Sequence, residues 1–172
     1  MKNLMKFTIA ITLFFVVMSC YDMYKGCKNM PEQNIGTGEI INNAIVSDLN
    51  VIPKIDYIIT SDSQNVFYIS SLFSDSVKVF NLTVSFDNGS TYQPIDFSRY
   101  SVLGKYTDGD CRVVFDRNVT KNVESKKYIY KIIVISCGSC EKLGISMNWV
   151  LIPKIEDDFF VEFIVEDKRW KE

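Results

Sequence analysis

Between Lys127 and Ser136 the chain reads Lys-Tyr-Ile-Tyr-Lys-Ile-Ile-Val-Ile-Ser, and this run limits the fold more than any other. Tyr128, Tyr130, Ile132 and Val134 alternate with Lys127, Ile129, Lys131, Ile133 and Ile135. A period of two puts the first set on one face of a strand and the second on the other. The first half reads as half exposed and the second half as apolar on both faces, as in a strand inside a layered β structure. β-Branched and aromatic residues, which suit a pleated surface, fill further segments of strand length: 39–46, 55–60, 77–86, 100–106, 111–116, 145–152 and 159–165. The pattern in 77–86 changes phase near Asn81, which predicts a bulge. Asp87-Asn88-Gly89-Ser90 predicts a tight turn, because Asn-Gly accepts positive φ, with Thr91-Tyr92-Gln93 opening the return strand. Asp108-Gly109-Asp110 predicts another hairpin turn. One segment differs. Ser61-Asp62 ahead of Val66, Ile69 and Phe73, with Phe67, Tyr68 and Leu72 beside them, predicts a short capped helix over 62–73, a strand over 66–72 being the alternative. The whole predicts a mainly β fold, an antiparallel β-sandwich or partly open barrel with one short helix.

The N-terminus follows a different logic. Lys2 and Lys6 precede an apolar run from Phe7 to Met18, which ends at Ser19-Cys20. The run is shorter than the roughly 20 residues a membrane-spanning helix needs, and its order of charge, apolar core and small residue is that of a secretory signal. Val17-Met18-Ser19-Cys20 resembles the lipobox of bacterial lipoproteins, with Val17 and Ser19 fitting the pattern and Met18 a less usual occupant. The resemblance implies diacylglycerol transfer to the Cys20 thiol and cleavage before it, with N-acylation of the new terminus. Two or three acyl chains anchor stably where one does not. The alternative is an ordinary cleaved signal with an incidental cysteine. Three segments are therefore expected: a signal peptide over 1–19, a lipidated tether over 20–37 rich in polar residues, Gly and Pro, and a single β-rich domain over 38–172. Cleavage leaves 153 residues of the 172, enough for one domain with a sound core. It also removes Lys2 and Lys6, leaving 17 basic residues against 21 acidic ones. A mildly acidic chain speaks against a nucleic-acid partner, which calls for a basic face. The cluster Lys168-Arg169-Trp170-Lys171 reads as a solvated end.

The remaining cysteines are Cys27, Cys111, Cys137 and Cys140. Outside the cytoplasm such thiols form lasting disulfides. Cys137-Gly138-Ser139-Cys140 has the CxxC spacing, and three readings compete. Redox chemistry would need a helix N-terminus after a strand to depress a thiol pKa, whereas this motif falls between two strands. Zinc would need a second close pair or histidines. The preferred reading is a structural staple from Cys111 to Cys137 or Cys140, with Cys27 free or paired with the remaining thiol. The chain contains no histidine, which removes Ser-His-Asp and Cys-His catalysis and all histidine metal sites. Glu156-Asp157-Asp158, Glu162, Glu166 and Asp167 form an acidic stretch, but a glycosidase needs two carboxylates flanking a cleft with one pKa raised. Asp108 and Asp110 are too few ligands for a calcium loop. No cofactor, no metal and no catalytic set is expected. Asp75-Ser76-Val77 resembles the short O-glycan acceptor motif of exported Bacteroidetes proteins.

Ile95-Asp96-Phe97-Ser98, Val102-Leu103-Gly104, Thr107-Asp108-Gly109 and Cys111 run in that order before a β-rich stretch and Pro153. Residues 95–165 are thereby similar to the C-terminal domain of protease-complex-assisting lipoproteins. They depart from it in having Asp108-Gly109-Asp110 where that domain has a Thr-Gly-Gly-Tyr type turn, and in carrying cysteines. The likeness implies a non-catalytic protein-binding β domain and transfers no active residues. The expectation is a cell-envelope lipoprotein, anchored in the outer membrane by lipid on Cys20, whose domain binds or stabilises another envelope protein, for which a protease is one candidate. Tyr21-Asp22-Met23 lacks the dense acidic run associated with surface display, which favours the periplasmic side. The alternative is a glycan- or surface-ligand-binding module using Tyr92, Tyr100, Tyr106, Trp149 and Trp170.

Overall fold

A computed structural model describes Cys27 and residues 29–47, 55–71, 74–138 and 143–171. Twelve strands occur among them: β1 (Thr37–Gly38), β2 (Ile45–Val46), β3 (Tyr57–Ile59), β4 (Phe67–Ser71), β5 (Ser74–Phe80), β6 (Thr83–Ser85), β7 (Gln93–Pro94), β8 (Tyr100–Asp110), β9 (Arg112–Asn122), β10 (Lys127–Cys137), β11 (Leu143–Pro153) and β12 (Phe160–Arg169). They form a four-stranded sheet β1-β9-β10-β12, two three-stranded sheets β11-β8-β3 and β2-β6-β7, and the ribbon β4-β5. The fold is mainly β and sandwich-like, as predicted, and none of the sheets closes into a barrel.

The sheet β11-β8-β3 lies in the middle. One of its faces gives Leu103, Val150 and Ile152 to a core shared with Tyr128, Tyr130, Ile132 and Val134 of β10 and Val119 of β9. Its other face gives Val102, Met147, Trp149 and Leu151 to a second core with Val46, Phe67, Leu82, Val84, Ile95 and Phe97. Strands buried on both faces lose the polar alternation, which is why 101–104 and 147–152 read as unbroken buried runs. β10 alternates as its sequence predicts: Tyr128, Tyr130, Ile132 and Val134 are all at most 1 % exposed.

Several expectations need correction. The sandwich is not wholly antiparallel. β10 pairs with β12 in parallel from Lys127↔Phe160 to Ser136↔Arg169, and β1 pairs with β9 in parallel. The intervening β11 crosses to the middle sheet, and two strands on either side of such a crossing run the same way. No helix forms among the described residues of 62–73. The Ser61-Asp62 cap supports only turns, closed by Gln64 N–H to Ser61 O (3.2 Å) and Asn65 N–H to Asp62 O (3.1 Å). Asn65 then turns inward, donating to Leu82 O (2.9 Å) and accepting from Leu82 N–H (2.8 Å). Phe67–Ser71 continues as β4, its backbone paired with β5. The phase change near Asn81 marks a passage between sheets, not a bulge, since β5 and β6 belong to different ones. Asp108–Asp110 is strand and not turn, and the chain changes sheets at Cys111, whose φ is 58°. The Asn88-Gly89 turn forms as predicted, with φ of 59° and 82°, and β7 returns alongside β6.

The domain boundary also moves. Cys27 and Met30, assigned to the tether, are 2 % and 6 % exposed and belong to the folded body. The segment from Gln33 to Glu39 lies along the outer edge of β9. The Gln33 amide imitates a strand backbone there, accepting from Phe115 N–H (2.9 Å) and donating to Phe115 O (2.6 Å). Arg117 donates to Asn34 O (2.6 Å), and Glu39 N–H donates to Val119 O (2.8 Å). A Cβ at Gly38 would stand 2.0 Å from Val119 O, so only glycine lets this strap lie so close.

Candidate functional site

Strands β9, β10 and β12 give the molecule two poles. At one, β10 ends at Cys137, β9 begins at Arg112 and β12 ends at Arg169. Cys27 is bonded there to Cys137 (S–S 2.02 Å, Cα–Cα 5.8 Å). Met30, Val114, Ile135 and Trp170 pack around the bond, and Arg112 donates to Cys27 O (2.8 Å). Of the two forms expected for the staple, Cys111 to Cys137 or Cys111 to Cys140, the first is not made, and Cys27 is paired with the thiol that the second form leaves over. The strap carries Cys27 to the end of β10, within bonding distance of that thiol. Cys137 is thus not bonded to Cys140, and a CxxC redox disulfide is not formed. Cys111 is itself disulfide-bonded, to a cysteine outside the described residues. Cys140 and the expected lipidation site Cys20 also lie outside them. The C-terminal cluster is not a free tail. Trp170 N–H donates to Ser136 O (2.9 Å), extending the parallel pairing, and Arg169 donates to Gly138 O (2.6 Å). A shallow depression of about 490 Å³ beside it is lined by Asp108, Gly109, Asp110, Ser136, Asp167, Lys168 and Arg169.

The opposite pole holds the turn between β9 and β10 and the approach to β12. A second depression of about 340 Å³ opens there on the flank where β3 and β12 are the outer strands. Ile58, Ile155, Phe159, Phe160 and Val161 form its apolar wall, and Thr60, Glu156 and Asp157 its polar one. Ile58 is 41 % and Phe160 54 % exposed, and Ile55 nearby is 50 % exposed. Contiguous exposed apolar surface of this kind marks interaction sites more often than scattered single residues do. β12 is an outer strand ten residues long. Phe160 and Trp170 point their N–H groups at β10, so Val161, Phe163, Val165, Asp167 and Arg169 turn theirs outward. Among the described residues no backbone group pairs with that row.

The acidic stretch is a ladder of ion pairs. Glu156 meets Lys121 (2.5 Å), Asp158 meets Lys126 (2.5 Å), Glu162 meets Lys127 (2.6 Å) and Glu166 meets Lys131 (2.7 Å). Hydrogen bonds from these lysines hold the Glu156, Asp158 and Glu166 carboxyls below their ordinary pKa. A glycosidase acid needs the reverse shift, so these carboxylates are arranged for charge pairing. Among the described residues no three Cys, Asp or Glu converge as a metal site. The five aromatics considered for a sugar platform do not share an exposed face. Trp149 is buried at 5 %, Tyr100 and Tyr106 pack partly buried on the second core, Trp170 packs on the disulfide, and only Tyr92 is well exposed at 46 %. The Ile58–Phe160 depression was not anticipated from the sequence. Its residues come from segments a hundred positions apart, and nothing local marks them.

No protein family, no characterised protein and no solved structure matches this chain.

Proposed function

We propose that this protein is a lipid-anchored envelope lipoprotein, held to the membrane through Cys20, whose β domain is a non-catalytic binding module for another envelope protein. The observation that carries the binding role is the flank at β3 and β12. There an exposed apolar depression adjoins a ten-residue strand whose outer row of backbone groups is unpaired among the described residues. An extended segment of a partner can add to such an edge, with main-chain hydrogen bonds giving affinity and side-chain pockets giving selectivity. The signal-like N-terminus ending in Val17-Met18-Ser19-Cys20 supports the anchor. The absence of histidine and the lysine-paired carboxylates support a non-catalytic domain. The likeness of residues 95–165 to the protease-complex-assisting domain suggests a protease complex as the partner.

The test is crosslinking in the native host and co-purification under mild solubilisation, for the parent chain and for Ile58→Asp and Phe160→Asp. The parent should retain a protein partner that both variants lose while keeping the parent's unfolding midpoint. A parent chain recovered alone would overturn the proposal.

A further inference from the structure

We infer that the Cys27–Cys137 bond fixes which pole of the domain faces the lipid surface, so that the Ile58–Phe160 depression is presented away from it. This rests on lipid anchoring at Cys20 and adds an orientation to it. Cys27 is buried and covalently tied to the last residue of β10, so the point to which Cys20 must connect is fixed at that pole. Six residues separate Cys20 from Cys27. At about 3.6 Å per residue, a fully extended chain from Cys20 to Cys27 spans roughly 25 Å. The opposite pole lies the length of β10 away, and eleven residues of strand cover roughly 33 Å. A domain turned upside down would hold Cys27 farther from the bilayer than its own chain can reach. If the strap were free and the anchored segment ran on to Thr37, the reach would rise to roughly 60 Å and the restriction would vanish. The disulfide thus converts a permissive tether into an orienting one.

The side chains at this pole are mixed in charge and are not needed to create the orientation. Arg112 opens β9 there, and Lys168, Arg169 and Lys171 flank Trp170 in sequence, the indole itself packing on the disulfide with its N–H buried. Asp108, Asp110 and Asp167 stand beside them, so net attraction to anionic lipid is small. Tether length, not charge, selects the pole, and the orientation should persist at high salt.

The experiment uses the full lipoprotein purified from its host and reconstituted in vesicles of phosphatidylethanolamine and phosphatidylglycerol carrying a headgroup-labelled acceptor lipid. A donor dye is attached through an azide-bearing residue at position 171 or at position 125, in the turn between β9 and β10. Energy transfer from position 171 should exceed that from position 125 by roughly threefold or more, given the roughly 33 Å between the poles. Raised salt should leave the ratio unchanged. Cys27→Ser with Cys137→Ser should bring the ratio towards one. Equal transfer from both positions in acylated parent protein would overturn the orientation alone. A ratio unchanged by the double substitution would overturn the role of the bond. Intact mass showing an unacylated Cys20 would overturn the anchor and the orientation together.

Discussion

Gly104 of β8 sits under the Trp149 ring, and Gly104→Ala tests whether the second core is as tightly closed as its geometry implies. An added Cβ would stand 2.1 Å from Trp149 Cζ3, 2.3 Å from Cε3 and 2.9 Å from Cη2. The ring cannot simply slide. Tyr57 holds it at 5.3 Å between centroids and Phe67 at 5.9 Å, and β8 and β11 are paired at this point, Trp149 lying opposite Gly104. Overpacking of this kind costs about 1–3 kcal/mol when neighbours yield by small shifts. Driving the indole partly out would return some of its 150–250 Å² to water, at about 25 cal/mol per Å², which sets an upper limit near 6 kcal/mol. We expect a loss of about 3 kcal/mol. With a urea m-value of about 2 kcal/mol per molar, the midpoint falls by about 1.5 M. Urea unfolding of the oxidised protein, followed by tryptophan fluorescence and far-UV circular dichroism, reads this directly. Gly144→Ala is the control, because its Cβ meets Val113 Cγ2 at 3.0 Å, a methyl that can yield, and its loss should stay under about 1 kcal/mol. A Gly104→Ala midpoint within about 0.3 M of the parent, with an unaltered near-UV spectrum, would refute the argument from close approach.

Replacing both Cys27 and Cys137 with Ser removes a crosslink spanning 110 residues, which loop-closure entropy values at about 4.7 kcal/mol. Differential scanning calorimetry should show a large fall in Tm, and limited proteolysis should find new cleavage near Met30. Asn65→Leu leaves the N–H and C=O of buried Leu82 without the partners they now have and should cost about 2–4 kcal/mol in the same urea assay. Stability should depend on pH at both ends. Glu156, Asp158 and Glu166 are held below their ordinary values in the fold. Their contribution is therefore full above about pH 4.5 and fades as acid titrates the folded state. Burial raises Tyr128 and Tyr130, so their contribution is full below pH 10.0 and is lost at higher pH. A midpoint that is flat from pH 3 to 6 would contradict the first half, and one that is flat past pH 10 the second.

The fold was most legible where one strand has one dry face and one wet one. Tyr128, Tyr130, Ile132 and Val134 declared their burial by alternation, and Asn88-Gly89 declared its turn by the conformations those residues tolerate. Pairing direction was not legible. Nothing in Phe160–Arg169 states that its neighbour is a parallel β10 rather than the sequentially adjacent β11, because the decision belongs to where β11 packs. The segment after Ser61 misled because cap and spacing are local signals, while the Asn65–Leu82 contacts and the β4–β5 pairing are not. Cys27 misled for a related reason. Its surroundings are polar and rich in Gly and Pro, as a tether would be, and only the strap along β9 brings it to Cys137. The apolar depression was illegible because Ile58 and Phe160 meet only after two sheets have stacked.

The parallel pairing of β10 with β12 has a consequence for the order of assembly. β12 is the last strand among the described residues and can take its place only after β11 has crossed to the other layer. Until then β10 carries an unsealed apolar margin, and the pairing that seals it joins residues about 33 positions apart across a sheet. Non-local pairing of this sort slows collapse to the native state and leaves sticky intermediates exposed meanwhile. A chain truncated before Phe160 should therefore aggregate rather than fold to a smaller version of itself. Oxidation of Cys27 with Cys137 needs only β10 to be in place, so it can precede the docking of β12, and the bond becomes a template on which that strand closes.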